Sequence, residues 1–521
     1  MMNSANRHLG HLVLDCMQRN PDSICQIDAA TGQEESNASV LNRSIRLARC
    51  FRKFGLKPGD VLSLAGRNHL DLHIPYYAAL LNGLPVSAVD PSFKYSEIKT
   101  LFALSRPRVA FCQKETYVDQ AKAIKSLGLD TKLLTFDDGE NSMQKFIEEY
   151  DTDEPIDDFK PSEFDLDKVY ALLISTSGTS GKQKLAAIKH NVLINKFNQY
   201  IVLFRFDDSG SNKISLNVSP VNWISGLFFA IALPMMKHIK LQTSSDNLDH
   251  IINVIKKYKP ISTLISTSMM TSFVSRKEHV DLKSFRNVTV TGAKIYRDMI
   301  TEFRALLHKD AIITEAYGMT ETVGPCLGPN PMGPDGTCGK RMPSYQIKLV
   351  DPDTGKEVTE ANTPGELWVK GEMFSEFYND SDETKNTFTE DGYYKTGDLL
   401  YRDENDNFFY VDRLKSLIKY KNFHVFPAEI EGVIRTHPAV RAVCVCGVPH
   451  PYDGQQVVAS VVLRENSHVT AQEIKDLVAS KLSKTKELSG GVVFLDELPM
   501  TSTGKVLRAK LLDIIIDLPR Q

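Results

Sequence analysis

The chain reads as a multidomain α/β protein, with a large N-terminal domain of layered α/β subdomains plus a β-barrel and a small α+β C-terminal domain. Three observations point there. Its 521 residues exceed the span of one ordinary domain. Up to about residue 314, amphipathic helical stretches alternate with short β-branched runs, the pattern of a layered α/β domain. From Pro364 the texture becomes β-rich, and beyond Arg413 a compact mixed pattern of helices and strands follows.

In order, residues 41–54 carry apolar side chains at helical spacing, 57–60 (Lys-Pro-Gly-Asp) form a turn, and 61–65 read as a buried strand. Residues 75–84 are again helical and 85–89 strand-like. The acidic stretch 137–167, with Glu148, Glu149, Asp151 and Asp153 among its charges, reads as a solvated surface connection. Residues 168–174 form a short apolar strand, and a helix suits the chain from His190. The apolar run 223–236 is broken by Ser225, Gly226 and Pro234 and is too short to span a bilayer, so it is a buried element. Strands are expected at 261–265, 288–291, 312–314, 365–370 and 408–411. A helix over 427–437, strands at 440–448 and 457–463, a helix over 471–482 and a strand at 492–495 then build the last domain. The division falls into residues 1–414 and 415–521.

Composition excludes several function classes. Lys plus Arg number 62 against 65 Asp plus Glu, a net charge of -3, which gives nucleic acid or an anionic membrane no electrostatic advantage. The 8 cysteines are scattered, without paired CxxC and partner histidines, so structural zinc is not expected and a reducing compartment fits best. Cys444 and Cys446 share one face of a strand. The first residues lack the apolar core of a signal peptide, and the end, Leu518-Pro-Arg-Gln521, is not a Ser-Lys-Leu address. A cytoplasmic location is expected, with the peroxisome as the alternative, and a monomer or weak homodimer.

Chemistry concentrates in five segments. Ser175-Thr-Ser-Gly-Thr-Ser-Gly-Lys-Gln-Lys184 follows a strand: small residues let backbone N–H groups converge, hydroxyls add donors, and Lys182 and Lys184 add charge, the parts of a polyphosphate cradle. It is not a Walker A loop, because Gly178 and Gly181 are too close and Gln183 follows Lys182. Thr314-Glu-Ala-Tyr-Gly-Met-Thr-Glu321 offers an aromatic face, a glycine for close approach, a hydroxyl and a carboxylate suited to Mg²⁺. Tyr394-Lys-Thr-Gly-Asp398 places a carboxylate after a turn, suited to ribose hydroxyls. Asp412-Arg-Leu-Lys-Ser-Leu-Ile-Lys419 is basic and lies at the domain junction. Thr501-Ser-Thr-Gly-Lys505 presents one lysine on a small-residue turn.

In this order and at these separations, the five segments resemble the core motifs of the adenylate-forming superfamily, which includes acyl-CoA synthetases, coumarate-CoA ligases, peptide-synthetase adenylation domains and beetle luciferases. The likeness runs from about residue 40 to 510, and residues 409–421 and 490–499 are most similar to insect acyl-CoA synthetases and luciferases. The resemblance implies a two-step reaction: a carboxylic acid attacks the α-phosphate of Mg-ATP to give acyl-AMP and pyrophosphate, and coenzyme A then displaces AMP. It implies that Thr176, Ser177, Gly178, Thr179, Ser180, Gly181 and Lys184 hold phosphates. Tyr317 would stack on adenine, Thr320 touch the α-phosphate, and Glu321 hold Mg²⁺. Asp398 and Arg413 would bind ribose, and Lys505 would neutralise charge growing in the adenylation transition state. Lys419 would serve catalysis from the C-terminal domain, and Lys415 matches a hinge about which that domain is mobile. Asn222, Trp223, Gly292 and Ala293 would line the acyl pocket. The expected partner is a small carboxylic acid, fatty or aromatic.

Departures bear on substrate more than on fold. The phosphate loop ends Gln183-Lys184-Leu185 in place of Pro-Lys-Gly. Asn222 and Trp223 stand where beetle luciferases carry a histidine pair, so no titratable group is there and Trp223 offers an apolar wall. Asn422 replaces a glycine that lets pantetheine approach. Two alternatives to the ligase therefore stand: a luciferase-type monooxygenase that oxidises the adenylate with O₂, and a weakly active nucleotide-binding member.

Overall fold

Two seven-stranded sheets organise the N-terminal part. In one, strands Ile312–Glu315, Asn287–Thr291, Ser262–Ser266, Ile214–Asn217, Ile239–Gln242 and Ile24–Asp28 lie parallel, and Glu34–Ser36 closes the edge as a hairpin. In the other, Tyr170–Thr176, Val86–Val89, Leu62–Ala65, Val109–Cys112 and Lys132–Thr135 are parallel, while Lys184–Lys189 turns back antiparallel against Tyr170–Thr176. In the second sheet Leu62–Ala65, Val86–Val89 and Val109–Cys112 are buried along their whole length, which is why they carry no charged residue, whereas Asn287–Thr291 in the first alternates buried and half-buried positions. Helices Asn37–Phe54, Ile74–Asn82 and Ile224–Met235 contribute to one continuous apolar cluster between the sheets. Within it the Tyr77 hydroxyl donates to the Ala230 carbonyl at 2.7 Å, fixing the second helix on the third. The computed structural model describes residues 7–176, 183–203, 213–292, 295, 297–328, 330, 333–334, 336–421, 423–500 and 505–521.

The β-rich part comprises a three-stranded sheet (Tyr317–Met319, Gly324–Gly328, Lys340–Arg341) and a four-stranded antiparallel sheet (Tyr345–Val350, Gly365–Gly371, Tyr394–Arg402, Phe408–Arg413). A bridge between Gly339 and Phe408 joins them as the walls of the barrel-like subdomain. After the short turn Leu414–Ser416, the chain enters a five-stranded sheet whose centre is the long hairpin Val440–His450 with Gly454–Leu463. Helices Pro427–Arg435 and Ala471–Lys481 pack their apolar faces on it, giving this unit a core of its own.

The expected elements recur within a few residues, with two differences. The acidic connection contains a helix, Met143–Tyr150, whose Phe146 is buried against Phe51 and Phe54 of Asn37–Phe54. Its flanking acids are paired, Asp151 with Arg46 and Glu154 with Arg49, so this stretch is a docked layer and not only a solvated face. A further helix, Arg508–Ile515, follows Lys505 and buries Leu511 and Ile515. Among the described residues no helix is long and apolar enough to cross a membrane.

Candidate active site

Parallel sheets expose backbone and side chains at the carboxyl ends of their strands, and ligands bind there. Asp90, Thr176, Asn217, Thr267, Gly292 and Glu315, each at or just beyond such an end, line one cleft of about 1770 Å³. That exceeds the roughly 300–1,000 Å³ of an ordinary small-molecule pocket, leaving room for a nucleotide and a second substrate. The barrel-like sheets supply one wall through Tyr317, Asp398 and Arg413, and the C-terminal unit closes the mouth with Lys505 and Arg508.

Backbone pairing sets the centre of the cleft. Asp398 and Arg413 are opposite residues on adjacent antiparallel strands, so their side chains share a face. Arg413 Nε lies 2.9 Å from Asp398 Oδ1, an ion pair off the line of a hydrogen bond, which leaves that oxygen an acceptor to spare. The other oxygen accepts the Tyr317 hydroxyl at 2.6 Å, and Tyr410 stacks beside Tyr317 with ring centroids 6.3 Å apart. Gly318 is required: a Cβ there would lie 2.2 Å from the Gly324 carbonyl oxygen across the ladder.

Four charges share this space. Burial pushes the Asp398 carboxyl up, and Arg413, Tyr317 and Lys505 oppose the rise. Burial also raises Glu321, countered by Thr176 beside it and by Arg413, while Asp398 adds to the rise. Arg413 is held more firmly protonated, mainly by Asp398. Lys505 is open to cleft water yet hemmed in by protein, which together with Arg413 depresses its ammonium below the usual lysine value, against the pull of Asp398 and Glu321. A hard cation beside Glu321 would act against burial and favour the charged carboxylate. Among the described residues no group of three or more His, Cys, Asp or Glu is placed to hold a metal.

Thr320 and Lys415 also line the cleft, the latter from the turn between the sheets. Asn222 and Trp223 stand at the start of helix Ile224–Met235, and Asn222 Nδ2 donates to Asp90 Oδ2 at 3.0 Å. Ser177, Gly178, Thr179, Ser180, Gly181, Lys182, Ala293 and Asn422 lie outside the described residues.

Of the lysines expected at the site, Lys184 lies in the cleft wall and Lys419 does not. Lys184 is buried at 3% exposure, paired with Glu383 and lying 5.1 Å from the centroid of the Phe377 ring. As the first residue of an antiparallel strand it is opposite Thr176, so it ties the end of the small-residue loop to helix Ser381–Thr387. Lys419 projects from the C-terminal sheet, exposed and outside the cleft lining, because it alternates with the buried Ile418 and Tyr420. Leu185 is fully buried in an apolar cluster.

Several contributors carry no local sequence signal. Glu383 meets Lys184 across 199 positions. Asp412 Oδ2 accepts the Ala428 N–H at 3.0 Å and so caps the first helix of the C-terminal unit from the N-terminal sheet. Arg508 binds Glu431 at 2.7 Å and the Val445 carbonyl, anchoring the segment that carries Lys505; its place three residues after that lysine was the available clue.

Residues 14–378 match the AMP-binding enzyme family and residues 429–505 the AMP-binding enzyme C-terminal domain. The chain belongs to the AMP-binding enzyme family. It is an adenylate-forming protein of the acyl-CoA ligase and luciferase-like kind. Luciferin 4-monooxygenase of Photuris pensylvanica is 31% identical over 509 residues, covering 93% of this chain and 90% of that one. Probable 4-coumarate–CoA ligase 2 of Dictyostelium discoideum is 28% identical over 97% of this chain and 94% of that one. ATP-bound MatB from Rhodopseudomonas palustris shares the fold, with TM-score 0.86 and 23% identity over 98% of this chain and 99% of that one. The luciferase-like enzyme of the nonluminescent Zophobas morio mealworm superposes with TM-score 0.72 at 25% identity, covering 80% and 98%.

Proposed function

We propose that the protein activates a carboxylic acid with ATP to the acyl adenylate and transfers the acyl group to coenzyme A. The observation that carries this reading is the convergence of Tyr317, Thr320, Glu321, Asp398 and Arg413 from the N-terminal part with Lys505 from the C-terminal unit on one cleft. The Asp398 oxygen left to spare suits a ribose hydroxyl, and the Tyr317 ring suits a base. Attack of a carboxylate on the α-phosphate concentrates negative charge on the phosphoryl oxygens, and Lys505 is the ammonium available to meet it. Glu321 would hold Mg²⁺, which supplies charge neutralisation on the phosphates when bound. Both partners start as anions, so fixed cations at Lys505 and Arg413 lower the cost of bringing them together.

For the second step the C-terminal unit, residues 415–521, would turn about Lys415, bringing Lys419 and its strand towards the cleft. Likeness to 4-coumarate–CoA ligases supports coenzyme A as acceptor. Likeness to luciferin 4-monooxygenases supports a second reading, oxidation of the same adenylate by O₂. The test is acid-dependent pyrophosphate release with Mg-ATP across an acid library, with acyl-AMP read by mass spectrometry. No release with any acid would overturn the proposal.

A further inference from the structure

The turn that carries Thr320 and Glu321 contains an unusual backbone. Val323 has φ +55°, a left-handed conformation that a β-branched residue adopts only under constraint. Every carbonyl around it is tied. The Glu321 carbonyl accepts the Phe374 N–H at 2.9 Å, and the Val323 carbonyl accepts the Tyr200 hydroxyl at 3.3 Å. The Thr322 hydroxyl accepts the Met319 N–H at 3.0 Å and reaches the Gly324 carbonyl at 2.6 Å. The Thr322 carbonyl accepts the hydroxyl of Tyr345, 23 positions away.

Tyr345 is itself oriented. Its hydroxyl oxygen accepts from Lys196 Nζ at 2.7 Å, and Lys196 is fully buried. An ammonium only donates, so the phenol must spend its single proton on a carbonyl, either that of Thr322, the shorter contact, or that of Glu372 at 3.1 Å. The Glu372 carboxylate is occupied by Asn195 at 2.8 Å and Gln199 at 2.9 Å and does not pair with Lys196 directly. A lysine buried beside hydroxyls lacks an obvious packing purpose, and burial lowers its ammonium to about 8.

We propose that Tyr345, oriented by Lys196, is a positioning residue for adenylation: its phenol pins the Thr322 carbonyl and keeps Val323 left-handed, so that Thr320 and Glu321 face the cleft. The inference rests on the proposed function for the role of those two residues. Tyr317 and Asp398 are held by their own hydrogen bond outside this chain of contacts. Tyr345→Phe is therefore expected to weaken Mg-ATP binding and cut the adenylation kcat by about 10- to 100-fold, with AMP affinity falling less, because AMP keeps Tyr317 and Asp398 and meets only Thr320 of the displaced pair. Adding Val323→Gly to Tyr345→Phe is expected to restore adenylation at least about fivefold, because glycine takes positive φ without strain. A merely structural role predicts the reverse, since the second substitution opens a cavity.

The experiment measures Mg-ATP and AMP affinity by calorimetry without any acid, alongside pyrophosphate release, for wild type, Tyr345→Phe and the double variant. Unchanged Mg-ATP affinity in Tyr345→Phe, or no recovery in the double variant, overturns the proposal. If Tyr345→Phe fails to fold, Lys196→Met keeps the phenol but removes the donor that orients it; an unchanged Mg²⁺ requirement there overturns it equally. A wild type that binds Mg-ATP yet releases pyrophosphate with no acid sinks the functional reading, while the clamp is still judged by the affinities.

Discussion

Glu383→Gln is expected to destabilise the protein far beyond a surface substitution. Glu383 is 31% exposed and its partner Lys184 only 3%, so the change leaves a nearly dry ammonium without its counter-charge. Losing one member of a buried pair costs roughly 3–5 kcal/mol. Water reaches the Glu383 side, and the glutamine oxygen still accepts a hydrogen bond, which brings the expectation down to about 2–3 kcal/mol. Lys184→Met leaves only a partly hydrated carboxylate and is expected to cost about 1 kcal/mol less. Combining them removes both charges, so the double variant should be more stable than the sum of the singles predicts by about 1–2 kcal/mol. Urea unfolding of the four proteins measures the cycle. Because Lys184 sits opposite Thr176, which adjoins Glu321, the KM for ATP should rise in both singles. A Glu383→Gln cost below about 0.5 kcal/mol, the range of ordinary surface changes, would refute the reasoning.

Lys505→Ala should cut acid-dependent pyrophosphate release by about 10²-fold or more, while supplied acyl-AMP is consumed at a near wild-type rate; equal loss of both half-reactions contradicts the role. Glu321→Gln should raise the Mg²⁺ concentration needed for half-maximal adenylation with an unchanged melting temperature, and an unshifted titration would place the ion elsewhere. Burial lowers Lys240 to about 8, against Cys25 and Glu35, and its Nζ faces His73 Nδ1 at 3.0 Å. Below pH 8 the folded state carries this penalised charge, and above it the folded state sheds a proton that the unfolded chain keeps to about 10.4. Wild type should thus gain stability relative to Lys240→Met on going from pH 7 to 10, on the order of 2 kcal/mol by urea unfolding. A flat or falling difference would contradict the assignment.

What the sequence made legible was local. The five segments could be read because each packs several functional groups into consecutive residues, and the central strands because burial along their whole length leaves short runs without charge. Helix Met143–Tyr150 was hidden because only Met143 and Phe146 of its eight residues are buried, too few to outweigh its charges. Helix Arg508–Ile515 did have a signal, Leu511 and Ile515 one turn apart on the buried side. The contacts that brace the site were not legible. Lys196 and Tyr345 meet across 149 positions, and nothing near either announces the other. The same holds for the burial of Lys184, whose neighbours in sequence read as a phosphate loop whichever way its side chain turns.

The central claim is that one cleft makes an acyl adenylate and passes its acyl group to a thiol, releasing AMP. Its most direct test follows the fate of that adenylate under argon and under air, with and without coenzyme A, using an acid that supports pyrophosphate release. The account predicts that acyl-CoA accumulates under argon, at the expense of the adenylate and only when coenzyme A is present. Adenylate consumption that requires O₂, ignores coenzyme A and emits light would contradict it.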